Sequence, residues 1–295
     1  MPKHEAGLGD QAFAALQLIL PTHLMSRVVH WATRSQLPWF KNTLIRLFMR
    51  GFGISLEEAQ VQNPYSFRSF NEFFTRALID GVRPQPERSE YLSSPVDGRI
   101  YQTGDIVEGR IFQAKGRHFD AVELLGGSSE RAAPFLGGRF ATIYLAPSNY
   151  HRIHMPLAGK LRETVYVPGR LFSVNPATAR ALPNLFARNE RVAALFDTEA
   201  GPMAMVLVGA LFVGSIETVW AGEITPPHRG QVAQWSHVNE QGEHALSLAR
   251  GDEMGRFNMG STVILLFGPE AVQWARELKS HEPVRMGQRL GVLKS

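Results

Sequence analysis

The residue pattern of the chain changes near residue 90, and this change constrains the fold most. Beyond that point it consists of short β-type runs separated by glycine, proline and asparagine. The runs are IYQTGDIVEGRIF, RFATIYLAP, ETVYVPGRLFSV, MAMVLVGALFVGSIETVW and STVILLF. One helix is expected among them, at about residues 183–195. Such spacing favours an antiparallel sandwich or barrel over a parallel sheet with alternating helices.

The segment before this region has helical periodicity and a basic character. Pro21 and Pro38 divide it into short helices. Residues 11–56 contain no acidic residue. Their basic residues are Arg27, Arg34, Lys41, Arg46 and Arg50. Together with Trp31 and Trp39, this pattern is typical of amphipathic helices in a lipid interface, although a helical subdomain with its own core fits equally well. Nucleic-acid binding is disfavoured, because the basic residues are spread among apolar ones.

The predicted fold class is therefore α+β, with N-terminal amphipathic helices followed by a mainly antiparallel, sandwich- or barrel-like β domain. A loop rich in proline and charge, IDGVRPQPERSEYLSSPVDGRI, places the boundary between residues 1–80 and 81–295. The absence of cysteine excludes disulfides, thiolate metal sites and a cysteine nucleophile. No secretory signal is visible, and the apolar runs are far shorter than the roughly 20 residues that span a bilayer. We expect no membrane span.

Three short stretches of the β region carry residues that could do chemistry. They are SSPVDGRI with Asp97, NYHRIHMP with His151 and His154, and MGST with Ser261. Taken singly, each has an ordinary structural interpretation: an Asp-Gly turn, a structural histidine pair and a Gly-Ser turn. Taken together, a carboxylate, an imidazole and a hydroxyl are the parts of an activated nucleophile.

The surroundings of Ser261 argue against an ordinary serine hydrolase. There is no Gly-x-Ser-x-Gly turn between a strand and a helix. Ser261 instead follows Gly260 and leads directly into strand-type residues. The nearest electrophile is the carbonyl group of Gly260, and a glycine tolerates the strained backbone that an attack on it requires. The sequence therefore favours a chain that attacks itself at this point.

Several motifs in a fixed order resemble the bacterial phosphatidylserine decarboxylases. They are SFNEFFTRAL with GVRP, SSPVDGRI, YHRIHMP, YVPGRLFSVNP, NERV, VGALFVGSIE and FNMGSTVILLF. The resemblance extends from about Leu56 to Phe267, and the basic N-terminal helices match the membrane-associating region of that family in kind. One departure is Met259, where the family usually has leucine. The two residues are similar in volume, so we expect little effect.

The resemblance implies a proenzyme that cuts itself between Gly260 and Ser261. By analogy, Asp97 orients His154, and His154 deprotonates the Ser261 hydroxyl for attack on the Gly260 carbonyl. The products would be a β chain of residues 1–260 and an α chain of residues 261–295, which begins with a pyruvoyl group made from Ser261.

The same resemblance implies the reaction and its setting. The pyruvoyl cofactor would form a Schiff base with the amine of phosphatidylserine and accept the electrons that CO2 leaves behind. His151 is the candidate acid that protonates the product. The expected partners are phosphatidylserine, a membrane surface and a second copy in a homodimer, without nucleic acid. The expected location is the cytoplasmic side of the inner cell membrane, held peripherally.

Two other interpretations stay open at this point. The first is a metal-dependent hydrolase that uses His151, His154 and Asp97, whereas the pyruvoyl mechanism needs no metal. The second is a β module without activity, in which MGST is only a turn and the helices bind a partner.

Overall fold

The computed structural model describes residues 7–114, 116–212, 215–226, 230–238 and 245–294. Residues 213 and 214 of the motif VGALFVGSIE and the first six residues of the predicted helical region lie outside this part of the chain. The α-helices are α1 Leu8–Ile19, α2 Thr22–Thr33, α3 Pro38–Phe52, α4 Phe70–Phe74, α5 Ala121–Leu124, α6 Ser129–Ala132, α7 Pro176–Ala181 and α8 Leu185–Arg188, with 3-10 turns at Pro64–Ser66 and Ala133–Phe135.

The remaining elements are short strands. They are β1 Tyr91–Ser93, β2 Gly98–Asp105, β3 Arg110–Ala114, β4 Arg117–Asp120, β5 Arg139–Tyr144, β6 Arg152–His154, β7 Gly159–Val167, β8 Arg191–Thr198, β9 Gly201–Val208, β10 Ile216–Thr218, β11 Gly222–Thr225, β12 Ala233–Ser236, β13 Ser247–Leu248, β14 Glu253–Phe257, β15 Thr262–Phe267, β16 Val272–Trp274, β17 Pro283–Val284 and β18 Arg289–Leu293.

The N-terminal helices begin and end where the prolines predict. The first helix stops just before Pro21, and Pro38 occupies the first turn of α3, where its missing N–H removes no intrahelical bond. Gly53 ends α3 in a left-handed conformation with φ 63°, and its N–H donates to the Met49 carbonyl. This is the usual glycine stop of a helix.

The largest sheet is antiparallel and has β15 in its middle. The strand order is β12-β7-β8-β9-β15-β5-β2-β17, with β13 added beside β7. All six residues of β15 are buried, and they pair with β9 on one side and β5 on the other. A strand buried on both faces reads as a continuous apolar run, which explains the stretch TVILLF.

A smaller antiparallel sheet contains His154, in its strand β6. Its order is β11-β10-β14-β6, and further sheets are formed by β1-β18-β16 and β3-β4. None of these sheets closes into a barrel within the described ranges. The structure thus confirms an α+β protein with N-terminal helices and mainly antiparallel sheets.

A second, smaller apolar core lies between α3 and α4, and we call it the phenylalanine cluster. Its members are Ile45, Ile54, Leu56, Ala59, Phe67, Phe70, Phe73 and Phe74. Leu44, Phe48, Met49 and Met259 pack against it. The cluster therefore joins the N-terminal helices to the segment around Met259. These contacts cross the domain boundary predicted at residue 80, and that boundary remains a prediction.

The N-terminal helices leave many large apolar side chains exposed. Those of α1 to α3 and the turns between them include Leu8, Leu16, Ile19, Leu24, Val28, Trp31, Leu37, Trp39, Leu47 and Phe52. Trp31 and Trp39 are 75% and 71% exposed. No single described helix is long and apolar enough to cross a membrane, whereas α1 and α2, bent by 82° at their junction, pass that test as a pair.

The prediction of one helix at about residues 183–195 is wrong in its length. Helix α8 spans only Leu185–Arg188, and β8 begins at Arg191. The break is at Asn189, which is fully buried and whose Nδ2 donates to the carbonyls of Phe172 and Gly209, both at 2.8 Å. Tertiary hydrogen bonds at this residue outweigh the local helical pattern.

Candidate active site

Two loops that connect the large sheet with the small one lie side by side. Residues 145–151 lead from β5 to β6, and residues 258–261 lead from β14 to β15. The N–H of Leu145 donates to the Ser261 carbonyl at 2.9 Å, and the N–H of Phe257 donates to the His151 carbonyl at 3.0 Å. The fold thereby brings His151 and Ser261 together, although they lie far apart in the sequence.

Ser261 and His151 each present a buried polar atom without a partner. Both residues are 0% exposed, and neither Ser261 Oγ nor His151 Nε2 has a hydrogen-bond partner among the described residues. A methyl group built on Gly260 would lie 3.6 Å from His151 Nε2, so this nitrogen lies beside the Gly260–Ser261 peptide. Buried polar atoms nearly always have partners, so each exception needs an explanation, and a catalytic role is one.

The hydrogen bonds of His151 fix its tautomer. Its Nδ1 lies 2.8 Å from the Asn149 carbonyl oxygen, which can only accept, so Nδ1 carries the proton and Nε2 keeps its lone pair. The ring also packs against Phe74, with the ring centroids 4.1 Å apart. Burial lowers the pKa of His151 to about 3, an effect that the nearby Arg76 charge increases. At neutral pH His151 is therefore an uncharged base that faces the peptide.

His154 has both ring nitrogens occupied. Its Nδ1–H donates to the Gly251 carbonyl at 2.8 Å, and the Tyr150 hydroxyl donates to Nε2 at 3.0 Å. Burial lowers the pKa of His154 as well. This imidazole is neutral and held in place by Tyr150, a residue that the sequence analysis did not single out although it stands in the motif NYHRIHMP.

Asp97 is bonded to an arginine and a backbone amide. Arg83 donates to its two carboxylate oxygens, with distances of 2.9 Å and 2.6 Å, and the N–H of Met286 donates to Oδ1 at 2.8 Å. Asp97 and His154 share no hydrogen bond in the described part of the chain, although the Asp97 charge acts to raise the pKa of His154. The predicted relay from Asp97 through His154 to Ser261 is not formed by direct contacts here, and it stays a prediction. Arg83, which stands in the stretch GVRP, is a partner that sequence reasoning missed.

The residues just before the Gly260–Ser261 bond are held tightly. Met259 has φ 116°, a region that residues with side chains rarely adopt, and its side chain packs on the phenylalanine cluster. Such a conformation costs about 1–3 kcal/mol and persists only where its surroundings impose it. Asn258 accepts a hydrogen bond from Asn71 at 3.0 Å, and its N–H donates to the Ser215 carbonyl at 3.0 Å. The N-terminal region therefore helps to strain the backbone beside the candidate cleavage site.

A cavity of about 420 Å³ lies next to the site. Its lining includes Gly53 at the end of α3, Arg76, Asp97 and the loop residues Asn149 and Tyr150. The described residues contain no group of three or more histidine, aspartate or glutamate side chains that could hold a metal ion, so the metal-hydrolase interpretation gains no support.

Comparison with known proteins agrees with the resemblance. The family model for phosphatidylserine decarboxylase matches residues 70–292, and a second model, PSD, matches residues 12–53. The chain belongs to the phosphatidylserine decarboxylase family. A phosphatidylserine decarboxylase proenzyme of Stutzerimonas stutzeri is 56% identical, with 96% of this chain and 94% of the relative covered.

Two further members of the phosphatidylserine decarboxylase family show the same extent of similarity. The proenzyme of Nitrosococcus oceani is 56% identical over 97% of this chain and 92% of its own length. The proenzyme of Bordetella bronchiseptica is 54% identical over 96% of this chain and 95% of its own length. The similarity covers the N-terminal helices as well as the β region.

Proposed function

We propose that this chain decarboxylates phosphatidylserine to phosphatidylethanolamine and CO2, with a pyruvoyl group made from Ser261 after self-cleavage at Gly260–Ser261. The observation that carries the proposal is the pair of buried, unpartnered atoms, Ser261 Oγ and His151 Nε2, beside this one peptide bond. The names of the relatives, which are proenzymes of phosphatidylserine decarboxylase, support the substrate and the processing.

The cleavage needs only groups of this chain and one water. Ser261 Oγ loses its proton to an imidazole and attacks the Gly260 carbonyl carbon, and the C–N bond breaks as an ester forms. Removal of the Ser261 Cα proton then expels the Gly260 carboxylate, leaving dehydroalanine. Water converts that residue into a ketone with loss of ammonia. The products are a carboxylate at Gly260 and a pyruvoyl group at position 261.

The residues around Ser261 fit such a group. Gly260 leaves room beside the peptide, and the nearest ring atom is the uncharged His151 Nε2. A pyruvoyl ketone supplies an electron sink for the pair released with CO2. His151 would carry the proton that is delivered to the substrate α-carbon, since its Nε2 lies beside the Gly260–Ser261 peptide.

The geometry also offers His151 as the base for cleavage, a role that the family resemblance assigns to His154. His154 Nε2 already accepts the Tyr150 hydroxyl, whereas His151 Nε2 is free to accept the Ser261 hydroxyl. The variants His151→Ala and His154→Ala separate the two. An uncut His151→Ala chain would make His151 the cleavage base, and a cut chain that releases no CO2 would limit it to decarboxylation. If His151→Ala cleaves and decarboxylates normally, His151 has no role at the reacting atoms.

The test of the function follows phosphatidylethanolamine and CO2 formed from phosphatidylserine in mixed micelles. The unmodified chain should produce both and should lose activity on treatment with hydroxylamine, which attacks the ketone. Ser261→Ala should be inactive. Thr262→Val is the matched control, because Thr262 Oγ1 is also buried without a partner but lies one residue further along the chain. An active Ser261→Ala protein would overturn the proposal.

We also propose that the protein docks peripherally on the cytoplasmic side of the inner cell membrane and acts as a homodimer. Docking is supported by the exposed apolar residues of the N-terminal helices and by the exposed Arg27, Arg46 and Arg50 among them. The homodimer rests on the family resemblance. Light scattering of the purified protein tests it, and a monomer mass would contradict it.

A further inference from the structure

Arg76 is a buried cation that forms no direct ion pair with any described carboxylate. It follows α4, is 7% exposed, and lines the 420 Å³ cavity beside the site. Within the described ranges its guanidinium makes no hydrogen bond or ion pair, and its central carbon lies over the Phe73 ring, 5.7 Å from the ring centroid. A buried charge in such a position is costly unless something pairs with it.

The other cations of the cavity are already paired. Arg83 is bonded to Asp97 and Glu58, and Arg285 forms an ion pair with Glu58 at 3.1 Å. Glu57, which also lines the cavity, is exposed to solvent. Burial lowers the pKa of Arg76, and the charge of Asp97 offsets this only in part. Arg76 is therefore the cation of this cavity that an anionic ligand would stabilise most.

The cavity extends from the end of α3 to the loop that carries His151. Gly53, at the end of α3, lines it on one side, and Asn149 and Tyr150 line it next to His151. Arg76 is close enough to His151 for its charge to lower the pKa of that imidazole. A headgroup bound in the cavity would thus place its amine near position 261.

We propose that Arg76 binds the phosphodiester of the substrate headgroup, an inference that rests on the proposed function. Phosphatidylserine has two anionic groups, and only the phosphate keeps its charge throughout decarboxylation. A cation paired with the carboxylate would stabilise the substrate more than the transition state, in which that charge is leaving, and would slow the reaction. Guanidinium and phosphate also form strong two-point hydrogen bonds.

The binding test uses the uncut Ser261→Ala protein, so that it does not depend on cleavage or turnover. Titration calorimetry compares glycerophosphoethanolamine, which has the phosphate but no carboxylate, with L-serine, which has the carboxylate but no phosphate. Adding Arg76→Met should weaken glycerophosphoethanolamine binding about tenfold or more and leave serine unaffected. Unchanged glycerophosphoethanolamine binding, or a loss confined to serine, would overturn the assignment.

Arg285→Met in the same background is the matched control, because Arg285 lines the same cavity but is exposed and paired with Glu58. It should change the affinity by less than about twofold, and an equal loss would mean that the cavity charge in general, not Arg76, binds the anion. Arg76→Lys keeps the charge, so its affinity for glycerophosphoethanolamine should lie between that of Arg76→Met and that of the parent protein. This variant shows whether a loss in Arg76→Met comes from misfolding.

Kinetics with a short-chain phosphatidylserine provide a second readout on the cleaved enzyme. Arg76→Met should raise KM about tenfold or more with a smaller effect on kcat, and a lower kcat at unchanged KM would contradict phosphate binding. If the parent enzyme forms no phosphatidylethanolamine while the Ser261→Ala protein binds glycerophosphoethanolamine through Arg76, the proposed function fails and the binding site stands.

Discussion

At the scale of single residues, the neutral imidazole of His151 links reactivity with stability. Its pKa is about 3 in the folded protein, against an ordinary value of 6.5. Between these values the unfolded chain binds a proton that the native protein does not bind. The free energy of unfolding therefore falls as the pH falls below 6.5, by up to about 1.4 kcal/mol per pH unit for one such group.

Denaturant unfolding of the uncut Ser261→Ala protein at pH 7 and pH 5 measures this effect. His154, whose pKa is also lowered, contributes in the same direction. Adding His151→Gln should therefore flatten the pH dependence only in part. If the double variant loses as much stability between pH 7 and pH 5 as Ser261→Ala alone, His151 is not held neutral by burial.

Met259 gives a second prediction at this scale. Its φ is 116°, and its side chain packs on the phenylalanine cluster. Met259→Gly should slow self-cleavage, because glycine adopts this φ without strain and lacks the side chain that fixes the loop. Met259→Leu, which restores the residue usual in the family, should cleave at about the parent rate. Denaturing gels after synthesis at timed intervals measure both, and a Met259→Gly chain that cleaves at the parent rate would remove the role assigned to strain.

The chemical groups of the site could be identified from the sequence, but the contacts between them could not. Asp97, His151, His154 and Ser261 stand out because carboxylate, imidazole and hydroxyl groups are chemically recognisable. Which of them meet depends on two loops that cross between sheets, and no local pattern encodes that. Asp97 consequently proved to be bonded to Arg83 instead of His154.

At the scale of elements, the prolines predicted the N-terminal helices, but periodicity did not identify the buried face of α3. Lys41, one of the basic residues of this region, is buried and donates to Asn42 Oδ1 and the Tyr65 carbonyl. Leu44 and Phe48 pack on the phenylalanine cluster, whereas Leu47 is exposed. The stripe that faces inward was fixed by the position of α4, which a helical wheel cannot show.

The exposed residues of these helices give a prediction for membrane docking. Trp31→Ser with Trp39→Ser should weaken sedimentation with phosphatidylserine vesicles about tenfold or more, because two rings no longer enter the interface. Trp235→Ser, on exposed β12, is the control and should bind as the parent does. Unchanged binding by the double variant would contradict docking through this surface. Substitution is a sharper test than deleting residues before Leu56, since deletion would also remove Ile45 from the phenylalanine cluster.

At the scale of the whole molecule, the proposed cleavage would divide a single hydrogen-bonded sheet. Strand β15 would belong to the α chain, and its neighbours β5 and β9 to the β chain. Strands β17 and β18 would likewise remain paired with β2 and β1. We expect the two chains to co-elute in size-exclusion chromatography under native conditions and to separate only in denaturant. Separation without denaturant would contradict this arrangement.

The central claim, that Ser261 becomes the cofactor, is tested most directly by intact mass spectrometry of the freshly purified protein under denaturing conditions. We expect a chain of residues 1–260 and a chain of residues 261–295 that carries a pyruvoyl group in place of Ser261 and resists Edman degradation. Ser261→Ala should show one uncut mass. A second chain that begins with an unmodified serine, or an uncut mass for an active protein, would contradict it.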